Sequence, residues 1–235
     1  MKIERSVVAS LFAMGILMMI STVSIRAQEY KYEIGGAVGT SFYMGDANRT
    51  KFYLHPGMAG GILFRYNLNF HWGIRTGMFM GNVSGNSIDS GNRFPFEQQA
   101  SFHRTLAELG TQVEFNFFPY SDKYAYLGTK PYTPYLFTGA GITYATGDHH
   151  FIGANVPFGM GFKYKLKNRM NIGIEFSVRK LFKDDFDVTQ KVPGWNLDSP
   201  YGIKSSIFKN QDWYSFTIIF LTWEFGTRED PCHGN

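Results

Sequence analysis

The sequence has 235 residues, with 23 Lys+Arg against 19 Asp+Glu, a formal net charge of +4, and 23 Phe, 14 Tyr and 26 Gly. This composition excludes a disordered or collagen-like chain, and so small a charge excess gives no reason to expect nucleic acid as a partner. The single cysteine, Cys232, excludes an intrachain disulfide and a multi-cysteine metal site.

Residues 1–27 have the organisation of an export signal. Lys2 and Arg5 precede an apolar stretch that ends at Ile20, and Ala27 comes just before the polar Gln28. A basic start, an apolar centre and a small final residue predict a cleaved signal peptide. Beyond it, no apolar run reaches the ~20 residues of a membrane helix. We therefore expect an exported chain without a helical bundle, with its folded part at 28–226 and a short tail at 227–235.

Eight segments after the signal peptide alternate apolar residues with polar or small ones, which is the period of a β-strand. They are 32–42, 58–66, 72–80, 109–117, 132–145, 156–164, 170–178 and 213–225. In the last segment both faces are apolar, so its orientation stays open. The connections 67–71, 119–131 and 165–169 are shorter on the whole than 43–56, 81–100, 146–153 and 183–211. We find no comparably convincing helical pattern.

Eight amphipathic strands fit either a soluble sandwich or barrel, or a membrane barrel with its apolar face outside. The polar face distinguishes them, because it holds many glycines and a nearly balanced set of charges that suits a narrow, ion-paired interior. We therefore predict an all-β protein: an eight-stranded antiparallel transmembrane β-barrel of OmpA or OmpX size. Side chains fill so small a barrel, which disfavours a general porin. The predicted structural interior charges are Glu33, Arg65, Arg75, Glu108, Glu114, Lys163, Glu175 and Arg179.

Three groups of residues have side-chain types that occur in catalytic or metal-binding sites. Ser101 and His103 share a strand face, a spacing that resembles that of outer-membrane lipid A deacylases. The nearest acid, Glu108, is at an even position and so lies on the opposite face of the strand. Asp148-His149-His150 and Asp184-Asp185 with Asp187 lack the spacing of a metal site, so solvated loops are favoured. We expect no catalytic, cofactor-binding or metal site. For Cys232, simple exposure and a cross-link to a partner both remain open.

Several stretches have a more specific pattern than alternation. Two lie beside loops, at 41–48 and at 200–216, and three lie in strands, at 59–67, 112–117 and 157–165. Together they resemble the PorG-type family of outer-membrane β-barrels of the type IX secretion system. The resemblance implies a non-enzymatic component of the cell outer membrane. It also implies partners, a PorK-like lipoprotein and a PorN-like protein that form a periplasmic ring, which the barrel would anchor or dock.

Topology predicts which residues face that ring. If the chain begins in the periplasm, the second short connection and the tail face the ring, and they carry Lys123, Tyr124, Tyr126, Arg228 and Cys232. The longer loops face outward, where contact with the secretion translocon is a further expectation, and the barrel wall faces outer-membrane lipids. Two alternatives remain: a lipid A-modifying hydrolase and a generic structural outer-membrane barrel.

Overall fold

The computed structural model describes residues 30–44, 53, 55–86, 101–122, 128–147, 150–166, 169–182, 186 and 212–227. Eight strands account for most of them. Their bounds are β1 Tyr30–Met44, β2 Gly57–Asn67, β3 Trp72–Asn86, β4 Ser101–Asn116, β5 Tyr132–Ala145, β6 Phe151–Lys165, β7 Met170–Leu181 and β8 Trp213–Thr227. In these ranges, no helix is long and apolar enough to cross a membrane.

The strands form one closed antiparallel barrel in chain order, and β1 pairs with β8 to complete it. Closure satisfies the backbone hydrogen-bonding groups within the sheet, so no strand edge faces the surroundings. We call one end of the barrel the turn end: it holds the start of β1 at Tyr30, the end of β8 at Thr227, and the connections 68–71, 117–131 and 166–169. The opposite end, with the connections 45–56, 87–100, 146–150 and 182–212, is the loop end.

The barrel has its polar residues inside and its apolar residues outside. Outward-facing side chains such as Met58, Val38 and Ile62 are 80%, 70% and 65% exposed, whereas Arg65 and Glu114 are completely buried. A soluble protein would bury the first set and expose the second. The fold prediction is therefore confirmed: the chain forms an eight-stranded antiparallel β-barrel of the transmembrane kind.

Aromatic residues ring the outer wall near both ends of the barrel. Near the turn end, Tyr32 packs against Phe64, Tyr66 and Phe225 with ring centroids 5.5–5.8 Å apart. On β8, the outward-facing Trp213 and Trp223 lie ten residues apart. Ten residues of a strand tilted by ~40° rise about 26 Å, close to the ~25 Å apolar band of membrane barrels. The girdles therefore match the thickness of a bilayer.

The structure differs from the sequence expectation at strand ends. β3 continues to Asn86 and β6 begins at Phe151, so the loops predicted at 81–100 and 146–153 are shorter. The reason is that β3 and β4 keep pairing beyond the apolar band, up to Asn86 opposite Ser101. β8 also extends one residue into the predicted tail, and its pairing with β1 and β7 settles its orientation: Tyr214, Phe216, Ile218, Phe220, Thr222 and Glu224 face inward.

Ile62→Arg tests the lipid-facing wall. Ile62 lies in the middle of β2, so an arginine there would enter the bilayer core and lower the free energy of unfolding by about 2–4 kcal/mol. Ser84→Arg, which faces outward on the β3 extension, should cost about 0–1 kcal/mol. Denaturant titration of the barrel folded into phospholipid vesicles measures both values. Equal effects of the two substitutions would contradict a membrane-embedded wall.

Candidate functional site

The barrel interior is the most elaborate polar site in the described part of the chain, and Glu114 lies at its centre. The Arg65 Nε atom lies 2.8 Å from Glu114 Oε2, Arg75 Nε lies 3.2 Å from Oε1, and Lys163 donates to Oε2 at 3.3 Å. These three cations come from β2, β3 and β6. One carboxylate therefore links neighbouring strands to a strand across the lumen.

Further carboxylates complete the pairing of the two arginines. Arg65 also donates to Glu33, and Arg75 donates to Glu175 Oε1 at 3.0 Å. Tyr135 donates to the other oxygen of Glu175 at 2.8 Å. Each charge of this network thus has an opposite charge beside it and at least one hydrogen bond, the condition under which buried ions are tolerated.

Strand register places like charges side by side in this region. Glu33 is directly opposite Glu224 across the β1–β8 pair, and Arg65 is directly opposite Arg75 across β2–β3. Separate partners offset each repulsion. Asn67 and Thr222 each donate to Glu33 at 2.9 Å, and Lys165 and Asn171 donate to Glu224. The network therefore depends on several strands being in register at once.

A second cluster lies nearer the loop end. The Arg179 Nε atom donates to both oxygens of Glu108, at 3.0 and 3.3 Å, and the Tyr214 hydroxyl donates to Glu108 as well. Thr143 shares a 2.7 Å hydrogen bond with Tyr214, which ties β5 to β8. The guanidinium of Arg179 lies 4.4 Å from the Phe216 ring centroid, so the arginine packs against an aromatic face while it pairs with Glu108.

The structure places all eight interior charges from the sequence inside the barrel, each at most 2% exposed. Four further buried charges were not anticipated: Arg104, Lys165, Asp212 and Glu224. Arg104 and Lys165 share the parity of Glu108 and Lys163 on their strands, so the alternation could have identified them. With these additions, the buried charges in the described residues are six cations and six carboxylates.

Interior glycines leave room for aromatic rings beside the charges. A Cβ atom on Gly161 would lie 2.5 Å from the Tyr135 ring, and one on Gly173 would lie 2.3 Å from the Phe220 ring. The same rings contact the network, since Lys163 lies 5.1 Å from the Tyr135 centroid and Arg65 lies 5.4 Å from that of Phe220. At these positions, aromatic rings and charged side chains fill the lumen together.

Tyr120, from the connection between β4 and β5, covers the turn end of the lumen. It is fully buried, donates to Asn171 Oδ1 at 2.8 Å, and has the ammonium groups of Lys163 and Lys165 each 4.9 Å from its ring centroid. Burial, and after it the nearby carboxylates, raises the pKa of the Tyr120 phenol well above its ordinary value. The phenol therefore stays protonated and keeps its donor role.

An aromatic cluster covers the loop end. Phe186 is fully buried, and its ring stacks on Tyr214 at 5.7 Å and meets Phe151 edge-on at 5.2 Å. Its backbone N–H donates to Asp212 Oδ2 at 3.1 Å, and Asp212 also accepts from Tyr43. The lumen is therefore closed by tightly packed side chains at both ends.

The other sequence candidates do not converge on a site. Ser101 and His103 face outward while Glu108 faces inward and is held by Arg179 and Tyr214, so these three described residues do not form a Ser-His-acid arrangement. Over the described ranges, no group of three or more His, Cys, Asp or Glu residues could hold a metal ion.

Most of the remaining candidates lie outside the described residues. His150 is described, and its Nδ1 atom lies 3.1 Å from the Tyr144 hydroxyl. The others, from both the metal and the ring-facing predictions, are outside: Asp148, His149, Asp184, Asp185, Asp187, Lys123, Tyr124, Tyr126, Arg228 and Cys232.

A family model described as a domain of unknown function, DUF6089, matches residues 10–235. The chain belongs to the DUF6089 family. This DUF6089 protein has no match among curated protein sequences.

Among solved structures, the DUF6089 chain is similar to Neisserial surface protein A, at 10% identity and a TM-score of 0.47, covering 85% of this chain and 100% of that one. The attachment invasion locus protein Ail of Yersinia pestis, in complex with the heparin analogue sucrose octasulfate, gives 10% identity and a TM-score of 0.46, with 84% and 100% covered. The outer membrane protein OprG from Pseudomonas aeruginosa gives 11% identity and a TM-score of 0.45, with 86% and 99% covered. No residue role is transferred from any of them.

Glu114→Gln should strongly destabilise the barrel, because it leaves Arg65, Arg75 and Lys163 with an uncompensated buried charge. Breaking a buried ion pair in this way costs about 3–5 kcal/mol. Adding Lys163→Met to the same variant restores the charge balance and should recover a large part of the loss. Denaturant unfolding in lipid vesicles measures both variants. A single variant as stable as the natural protein would show that the network does not hold the strands together.

The packed lumen predicts that the barrel does not conduct ions. Purified protein inserted in a planar lipid bilayer should give no stepwise current at either polarity, because buried charged and aromatic side chains occupy the described interior. Antibody detection of the protein in the recovered bilayer, or its mobility shift on an unheated gel, controls for insertion. Reproducible current steps from inserted barrels would refute the closed interior.

Proposed function

We propose that this DUF6089 protein is a PorG-type, non-enzymatic component of the type IX secretion system in the cell outer membrane. In this proposal the barrel anchors or docks the periplasmic ring of a PorK-like lipoprotein and a PorN-like protein. The single observation that carries the proposal is the lumen filled by charge-balanced side chains in the described part of the barrel, because it argues against a transport path through the barrel itself.

The filled lumen favours an anchor over a conduit. Side chains such as Glu114 and Arg65 fill the space that a solute would need, and Tyr120 and Phe186 cover the two ends. A polypeptide could pass only if the ion-paired core were dismantled. A barrel of this kind is a rigid membrane-embedded body, well suited to holding a soluble assembly at the membrane surface.

The turn end supports the choice of docking face. β1 begins and β8 ends there, and membrane barrels of the outer-membrane type have short periplasmic turns and longer extracellular loops. The 117–131 connection is the longest at this end, and Tyr120 fixes one side of it in the lumen. Backbone bonds between Lys130 and Pro119 and between Ser121 and Lys130, at 2.8 and 3.1 Å, hold its base. The base of the connection is therefore held in a defined position at the turn end, which faces the periplasm in this proposal.

Within this proposal, the contacting residues are those expected from topology: Lys123, Tyr124, Tyr126, Arg228 and Cys232. The loop end remains available for contact with the translocon. The hydrolase alternative has less support, since the separation of Ser101 and His103 from Glu108 removes its catalytic arrangement. A generic structural barrel is the alternative that the experiments below must exclude.

Deletion of the gene tests the proposal directly. Type IX cargo should disappear from the culture medium and accumulate in the cells, and the ring should no longer sediment with outer membranes. Proteomics of the medium and immunoblotting of membrane fractions measure the two effects, and re-expression of the gene is the control. Normal secretion with an unchanged ring would leave only the generic barrel.

Tyr120→Ala tests the docking face without deleting the protein. The substitution removes the buried side chain that holds the 117–131 connection against the lumen. Recovery of the periplasmic ring proteins on the tagged barrel should therefore fall severalfold. Tyr120→Phe keeps an aromatic side chain between Lys163 and Lys165 and loses only the hydrogen bond to Asn171, so its effect should be small. An unheated gel checks that both variants fold. Undiminished ring recovery with Tyr120→Ala would reject this face as the docking surface.

A further inference from the structure

Three cations at the turn end stand outside the balanced interior. Lys31, Lys130 and Arg169 form no ion pair with any carboxylate in the described ranges, and all three lie at the turn end. Arg169 covers the Tyr30 ring at 4.9 Å. The positive charges of these three side chains are therefore not neutralised by an ion pair within the described part of the protein.

Lys130 is the cation held most closely in place. Its ammonium group lies 4.1 Å from the Phe118 ring centroid and 5.7 Å from that of Tyr132, and these two rings meet edge-on at 5.9 Å. Its backbone N–H donates to Pro119 at 2.8 Å. Since Tyr132 faces outward and belongs to the aromatic girdle, Lys130 lies on the outer wall at the height of lipid headgroups.

Two phenols extend this position along the wall. Tyr132 and Tyr164 are directly paired across β5 and β6, both face outward, and they are 37% and 44% exposed. Neither hydroxyl has a hydrogen-bond partner among the described residues. Directly paired side chains have Cβ atoms only ~5 Å apart. Both phenols are therefore available to the same ligand.

The wall above these groups is apolar. Phe162 stacks on Tyr132 at 6.2 Å, and beyond it Leu136 and Met160 form a directly opposed pair that is 46% and 59% exposed. A ligand that touches Lys130 and both phenols would thus have hydrocarbon-compatible surface beside it in the direction of the bilayer centre.

We propose that Lys130, Tyr132 and Tyr164 form a binding site for an anionic phospholipid of the leaflet at the turn end. The ammonium group neutralises the phosphate, the phenols donate hydrogen bonds to its oxygens, and the acyl chains lie along Phe162, Leu136 and Met160. A lipid fits better than a soluble protein, because the cation lies on the side wall among girdle residues. The proposal is independent of the secretion role.

Native mass spectrometry of the full processed chain in a neutral detergent tests the site, with palmitoyl-oleoyl phosphatidylglycerol as the probe. Phosphatidylcholine with the same chains is the zwitterionic reference. Lys130→Gln should reduce phosphatidylglycerol adducts about fivefold, the factor for one lysine near an anionic surface. Tyr132→Phe and Tyr164→Phe should each reduce them about fivefold, and the double variant about thirtyfold, since each lost hydrogen bond is worth ~1 kcal/mol.

Lys180→Gln is the matched control. Lys180 is also a lysine beside a girdle aromatic, 5.3 Å from the Trp213 ring, but it lies at the loop end. Its substitution should leave phosphatidylglycerol adducts unchanged, and an unheated gel confirms folding of each variant. Equal losses for Lys130→Gln and Lys180→Gln would mean diffuse charge attraction and overturn the site. Unchanged phosphatidylglycerol adducts for Lys130→Gln would also overturn the lipid site. If the same variant instead recovered fewer ring proteins on the tagged barrel, the surface would be a protein-binding surface.

Discussion

The ionic contact between Glu114 and its three cations is the interaction on which the rest of the barrel depends. Arg65, Arg75 and Lys163 reach it from three strands, and each is buried where an unpaired charge would be costly. Their other partners, Glu33 and Glu175, lie on β1 and β7, so the network includes six of the eight strands. A shift of one residue in any of these strands would turn a charge toward the lipid. The network therefore specifies register as well as stability.

The same network accounts for what the barrel can do. Its charges balance, its rings occupy the space left by interior glycines, and Tyr120 closes the turn end by packing between two lysines of the network. A lumen filled in this way has no room for a solute, and the described residues form no catalytic arrangement. The surfaces open to contact with other molecules are the two ends of the barrel and its outer wall. The proposed anchoring role and the proposed lipid contact both use these surfaces.

Much of the fold follows from local sequence, and the exceptions have physical causes. Strands such as 156–164 alternate cleanly because one face meets lipid and the other meets charges. β8 does not, because near the loop end its inner face packs against aromatic residues: Phe216 lies 6.0 Å from Phe79. Only pairing with β1 and β7 fixes its orientation. For this reason the sequence alone does not predict that Glu224 faces the interior. Tyr120 was missed for another reason, since no periodicity marks a loop residue that enters the lumen. The ring-facing residues lie outside the described ranges and stay predictions.

Solvent access to the lumen tests the central claim most directly. Ala37 and Ala59 face the interior and are 5% and 8% exposed, so Ala37→Cys and Ala59→Cys in a Cys232→Ser background place single thiols there. Treatment of barrels in vesicles with a membrane-impermeant maleimide, applied to either side, should leave both thiols unmodified. Ser84→Cys on the β3 extension is the accessible control and should react from the loop end. Rapid labelling of either interior thiol in the folded barrel would contradict a closed, ion-paired lumen.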